Sequence, residues 1–206
     1  PVHIVVRADS DIRHVADLAG RGIALGSPHS GSRHTALRLL AHAGIDPAAL
    51  VRVEYVSPAD ALARLAAGEL DAVIEVASAP WRQLQEALRT TPLRLVALDA
   101  GQAARIGADL PGLVPLAIPA RTYAGQAAAV QTVAATALLV AHSDVAEATV
   151  EAVLEYFYAA AADRGGVLAA RLSKERARAG ITIPMHAGAQ RIVERSPDTA
   201  SRSGNP

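Results

Sequence analysis

The sequence contains no cysteine, which excludes disulfides and thiolate chemistry without choosing a redox compartment. Aromatic residues make up only 3% of the chain, with a single Trp and a single Phe, so the core must be built from Ala, Val, Leu and Ile. Neither sign of charge is in excess: 20 basic and 20 acidic side chains give a formal net charge of zero. With no Lys/Arg block and no aromatic stacking set, nucleic-acid binding is disfavoured. Long hydrophobic runs are missing as well. The longest, around Val130 to Ala141, is interrupted by Gln131 and Thr132 and is too short to span a bilayer. No basic segment followed by an apolar one is found at Pro1, so no secretory signal is read within the chain. What remains is a composition of 51% apolar and 19% charged residues over 206 positions, enough for one globular domain or two small lobes.

The stretch that organises the rest is Gly22 to Gly44, GIALGSPHSGSRHTALRLLAHAG. Its short apolar run stops at Gly26, and a polar loop of Ser27, Pro28, His29, Ser30, Gly31 and Ser32 follows. Thr35, Ala36, Leu39, Leu40 and Ala43 then recur at helical spacing until Gly44, a favoured residue just past a helix end. Strand, small-residue loop and helix aim unpaired backbone N–H groups at one point, beside the hydroxyls of Ser27, Ser30 and Ser32. Free donors and the positive end of the helix dipole attract carboxylate or phosphate. The plainer alternative is a Ser-capped helix start. Neither G-x-x-x-x-G-K-[ST] nor G-x-G-x-x-G occurs here, so a small anion or zwitterion fits better than a nucleotide.

Along the chain, His3–Arg7, Ile23–Leu25, Val51–Val56, Asp71–Val76 and Leu93–Leu98 read as strands. Helices are expected after Ser32, from Ser57-Pro58 to Gly68, and from Ser78-Ala79-Pro80-Trp81 to about Leu88. This alternation predicts an α/β fold with mostly parallel sheets. Ligands on such sheets gather at the carboxyl ends of the strands, where the Gly26–Ser32 loop and the segment after Glu75 both lie. Beyond Leu98 the rhythm changes. A short helix is expected at Gly101–Ile106, an extended linker at Pro111–Pro119, and a long strand at Gln131–Ala141. Asp144–Ala162 reads as an amphipathic helix with Val145, Ala148, Val153 and Tyr156 on its apolar side. Helices over Val167–Ala179 and Ala187–Val193 follow, and Ser196–Pro206 reads as a disordered tail.

The order of these elements resembles the solute-binding receptors of the TAXI family of TRAP transporters. HIVVRADSDIRHVADLAGRGIALGSPHSGSRHTA resembles the family's hinge strand, DL-x-G and G-x-x-x-SGT run. GELDAVIEVASAP is similar to its G-x-IDA…G-x-P patch, and Leu116 to Tyr123 with the later TVAATALLV to the region ending in a Tyr and a TVA…LV strand. IPMHAGAQRIVE resembles the closing HPGA motif. Ser32 stands where the family has Thr, Ser78-Ala79-Pro80 where it has a Gly before Pro, and Ala187 where it has Pro. The resemblance implies a type II periplasmic-binding-protein fold whose first lobe is incomplete in this chain. Residues 1–118 would be mainly the second lobe with its hinge strand, and residues 119–195 the return towards the first. It implies a non-enzymatic receptor for a small organic anion or amino acid, delivering it outside the cytoplasm, in the periplasm, to a TRAP-type membrane permease. Hinge crossings would lie near Val5–Arg7 and Leu116–Ala120. Alternatives are a ligand-sensing module of the same fold in a regulator, or a small-molecule enzyme of related fold.

Seven residues are candidates for the ligand. Ser30, Gly31 and Ser32, with Ser27 beside them, would donate to its carboxylate, and Arg33 would either clamp it in bidentate fashion or stay solvated. Glu75 interrupts an apolar strand and either accepts a ligand ammonium or pairs with a neighbouring Arg. Tyr123, at the family's Tyr position, either contacts the ligand or is a core aromatic with its hydroxyl in water. Trp81 either lines the cleft or packs. His186 is read as structural, its ring nitrogen holding the C-terminal segment. No metal or cofactor is implied: the seven His show no ligand spacing, and no Ser-His-Asp arrangement or G-x-S-x-G elbow can be assembled.

Overall fold

The structure, a computed structural model, describes residues 1–165 and 172–195. It divides into two compact units, Pro1–Ala135 and the part from Thr136 onward. The fold is of the α/β class.

In the first unit, strands β1 (Val2–Arg7), β2 (Gly22–Ala24), β3 (Arg52–Glu54), β4 (Ala72–Val76) and β5 (Leu93–Leu95) form one sheet in the order β3-β2-β4-β1-β5. Helices α1 (Gly31–His42), α2 (Pro58–Ala66) and α3 (Arg82–Ala87) make the crossovers. β2 is parallel to both β3 and β4, but β1 is antiparallel to both of its neighbours, β4 and β5. The sheet is therefore mixed, which corrects the parallel expectation at β1. The physical reason is the connection. A parallel neighbour needs a crossover, usually a helix. Between β1 and β2 the chain makes only a single helical turn at Val15–Leu18, so β2 starts from the edge at which β1 ended.

Alternation along each strand sorts the core onto two faces. Val2, Ile4, Val6, Ile23, Ala72 and Ile74 pack with Ala36, Leu39 and Leu40 of α1. Val5, Ala24 and Val73 pack on the other face with Ala61, Leu62 and Leu65 of α2 and with Trp81 and Leu84. This is the near-continuous apolar pattern of strands covered on both sides. Local signals set the helix ends. Ser30 and Ser57 accept N–H bonds from Arg33 and Asp60 as N-caps, Pro58 follows its cap directly, and Gly44 and Gly68 end their helices at positive φ.

Helix α4 (Ala100–Asp109) starts at Asp99 in a capping box with Gln102 and is longer than the Gly101–Ile106 expectation. The expected linker at Pro111–Pro119 is instead strand β6 (Leu113–Ile118), paired antiparallel along its length with β7 (Val130–Ala135). The long strand expected to reach Ala141 ends at Ala135. β7 is tied back to β1, since the Thr132 hydroxyl donates to the Val2 carbonyl at 2.7 Å.

In the second unit, α5 (Glu147–Arg164) lies along α6 (Ala187–Glu194). The expected apolar face of α5 is not what meets its partner. Tyr156 is 72% exposed and Val153 40%. The stripe that faces α6 is Glu147, Glu151 and Glu155, four residues apart, which pairs with Arg191 and Arg195, also four apart. His186 is structural as expected, its Nε2–H donating to the Val145 carbonyl at 3.1 Å, and it also caps α6, which was not expected, its Nδ1 accepting from the Gly188 N–H. Of the helix expected at Val167–Ala179, residues 167–171 lie outside the described residues, as does the expected tail at 196–206, and only the turn Lys174–Arg176 is helical in the rest. No described helix is long and apolar enough to cross a membrane.

Candidate functional site

β2, β3 and β4 run the same way, so the N-termini of the helices that follow them open at one edge of the sheet. After β2 the chain turns at Gly26, whose φ is +80°. A Cβ there would stand 2.8 Å from the Ser32 Cβ and 3.0 Å from the Ser30 Oγ, so only glycine lets the loop fold onto the first turn of α1. His29 also has positive φ, at 61°, a strained value for a non-glycine residue.

The serines in this loop have separate tasks. Ser27 Oγ donates to the Val56 carbonyl at 3.3 Å, tying the loop to the end of β3. Ser30 Oγ accepts the Arg33 N–H at 3.1 Å, which leaves its own O–H to donate outward. Ser32 is buried; its hydroxyl donates in a short contact to Glu75 Oε1 and accepts the Val76 N–H at 3.2 Å. As the first two residues of α1, Gly31 and Ser32 have no intrahelical acceptor for their N–H groups. No hydrogen bond to these two N–H groups is found elsewhere among the described residues.

Glu75 is 6% exposed, and its Oε2 has no hydrogen-bond partner among the described residues. Burial raises its pKa, against the hydrogen bonds from Ser32 and Val76 that lower it. Of the two sequence expectations for Glu75, pairing with an Arg is not what forms: its partner is Ser32. Arg33 instead stacks its guanidinium over the ring of Tyr55 at 4.3 Å, with its Nε buried and unpartnered. Tyr55 was not singled out from sequence. Its signal was the VRVEYV alternation, which places an aromatic just past the carboxyl end of β3.

Tyr123 is held in a different network. Its oxygen accepts the Trp81 N–H at 2.8 Å and lies 2.6 Å from His3 Nε2. His3 Nδ1 in turn lies 3.2 Å from the Pro1 carbonyl, which can only accept. The proton therefore sits on Nδ1, and the Tyr123 hydroxyl donates to Nε2. Burial lowers His3 from 6.5 to about 4, so the ring is neutral and all three groups are satisfied. Trp81 packs, 4% exposed, with its ring edge-on to His3 at 5.5 Å. Loop, helix start and Glu75 are thus brought together, whereas Tyr123 lies with its hydroxyl between His3 and Trp81. A cavity of about 220 Å³ lies beside β5, between Leu84, Leu88, Leu95, Tyr123 and Val130. It is smaller than ordinary small-molecule pockets and is not lined by the serine loop. No cluster of three or more His, Asp or Glu side chains suited to a metal occurs among the described residues.

A family model described as NMT1-like matches residues 1–194. Among solved structures, the periplasmic aliphatic sulphonate binding protein SsuA from Escherichia coli is 25% identical with a TM-score of 0.48, over 77% of this chain and 43% of its own. The alkanesulfonate-binding protein SsuA from Xanthomonas axonopodis pv. citri, bound to MOPS, is 23% identical with a TM-score of 0.43, over 93% and 54%. The substrate binding protein of an amino acid ABC transporter is 18% identical with a TM-score of 0.35, over 48% and 38%. The chain spans about half the length of the SsuA proteins it matches.

Proposed function

The chain belongs to the NMT1-like family, and we propose that it is a non-enzymatic solute-binding module that captures a small organic anion or amino acid at the start of α1. The observation that carries this reading is the pair of Gly31 and Ser32 N–H groups, unpartnered among the described residues, where three parallel strands end. A helix N-terminus supplies both donors and dipole for an anionic head. The Ser30 O–H adds a donor, and Arg33, stacked on Tyr55, adds a cation at the rim. In the cell the bound solute would pass, outside the cytoplasm, to a membrane permease of the TRAP type, with Val5–Arg7 and Leu116–Ala120 serving as hinge crossings. Tyr123 would act through the His3 and Trp81 network that shapes the neighbouring loops. Ser27 would hold the loop closed against Val56.

The test is a calorimetric screen of amino acids, dicarboxylates, keto acids and sulfonates against the wild type and Gly31→Pro. Proline is favoured at the first helical position, Ser30 is already extended as a residue before proline requires, and no atom lies within 4 Å of a Cβ at Gly31. The variant should fold yet lose one donor to a charged group, weakening the best ligand by roughly ten- to a hundredfold. Equal affinity in wild type and variant, or no binder in the whole panel, would overturn the reading.

A further inference from the structure

The buried carboxyl of Glu75 lies directly behind the candidate anion site. Ser32, the second residue of α1, has one of the unpartnered N–H groups on its backbone and holds Glu75 Oε1 with its hydroxyl. Glu75 is more than nine-tenths buried, and its other oxygen has no partner among the described residues. A buried carboxylate of this kind is costly without a counter-charge. Among the described residues, no side chain on the elements packed around it supplies one, and the terminal amino group, which acts on His3, is not among the causes that shift Glu75. On β1 the residue directly opposite is His3, which is neutral because burial lowers its pKa to about 4. β2 carries no titratable side chain from Gly22 to Ala24. On α1, the Arg33 guanidinium is drawn over Tyr55 and His34 is exposed. α2 presents Ala61, Leu62 and Leu65 as its buried face, while its Asp60 is bonded to Ser57 and its Arg64 to Glu54 and Glu69.

From this geometry we infer that the site takes up its anion together with one proton, carried by Glu75, so that its ligand class is a small organic anion with no ammonium beside the anionic head. Two negative charges in one poorly solvated space cannot both be ionised cheaply, so the arriving anion drives Glu75 to its neutral form. Neutral Glu75 keeps the Ser32 bond, with Oε1 as acceptor and the proton on Oε2. The raised pKa caused by burial acts in the same direction. By linkage, affinity for the anion falls as pH rises above the pKa of Glu75 in the free protein, by up to tenfold per pH unit. A zwitterion whose ammonium met Glu75 would give the opposite sign, since it would bind the ionised carboxylate. This inference rests on the solute-binding reading of the same loop.

The experiment uses methanesulfonate, an anion that stays charged throughout, titrated calorimetrically from about pH 5 to about pH 8 into wild type and Glu75→Gln. A second measurement follows the Glu75 carboxyl ¹³C shift against pH, with and without saturating methanesulfonate. The expected result is a dissociation constant that rises with pH in the wild type and is flat in Glu75→Gln. The Glu75 midpoint should also move up when the anion is bound. Binding that is equally pH-independent in both proteins, or that strengthens with pH, would overturn the proton linkage and leave the anion site standing. A Glu75 midpoint unmoved by bound methanesulfonate would do the same, even were the variant to misfold. No binding of methanesulfonate at any pH would overturn the inference that the site takes a small anion without an ammonium, whereas the anion site itself falls if the whole panel fails to bind.

Discussion

Acidification should weaken the first unit through one histidine, and the size of the effect follows from the structure. His3 is fully buried, and burial lowers its pKa from 6.5 in the open chain to about 4 in the fold. Between those values the unfolded chain binds a proton that the folded chain refuses. Stability from this residue is therefore fully present above about pH 6.5 and is lost as pH falls towards about 4. A shift of about two and a half units at 1.36 kcal/mol per unit gives about 3 kcal/mol between neutral pH and pH 4. The structural cause is desolvation of a ring enclosed by Trp81 and Tyr123, with the terminal amino group acting in the same direction. Urea unfolding of wild type and His3→Gln across this pH range would isolate the contribution, because other titrating groups are common to both. Tyr123→Phe is the companion variant. It removes the hydroxyl partner of Nε2 but leaves the ring buried, so His3 should still titrate well below 6.5 and the pH dependence should persist. The His3 ring-proton shift by NMR reads the pKa directly. Equal pH slopes in wild type and His3→Gln, or a His3 midpoint near 6.5, would refute the argument.

Two glycines give sharper tests of packing. Gly26→Ala combines a positive φ with a Cβ 2.8 Å from that of Ser32, so a loss of about 2–4 kcal/mol in unfolding free energy is expected; an unchanged melting temperature would mean that the loop is not folded onto α1. In the second unit, a Cβ at Gly188 would stand 2.5 Å from the Glu147 carbonyl oxygen, a backbone atom with little room to yield. Gly188→Ala should push α6 off α5 at a cost of about 1–3 kcal/mol, seen as faster amide exchange along Ala187–Glu194. Exchange at the wild-type rate would rule out this helix contact.

What the sequence determined by itself was local. Ser30, Ser57-Pro58, Gly44 and Gly68 mark helix ends because capping is decided within one turn of chain. The apolar runs around Val5 and Val73 are strands buried on both faces, as their lack of alternation required. The serine loop at a strand's carboxyl end was legible for the same reason. The direction of β1 and the pairing of β6 with β7 were not, because strand partners are chosen by distant segments. Nor could the stripe Glu147–Glu151–Glu155 be known to face α6, since charge at helical spacing reads as a solvated face until a matching Arg pair comes alongside. Tertiary structure alone joined Ser32 to Glu75 across 43 residues and His3 to Tyr123 across 120. Those two contacts set which hydroxyls remain free for a ligand and which ionisable groups are neutral. They depend on desolvation and on donors brought in from elsewhere in the fold, and neither is written in the order of residues along the chain.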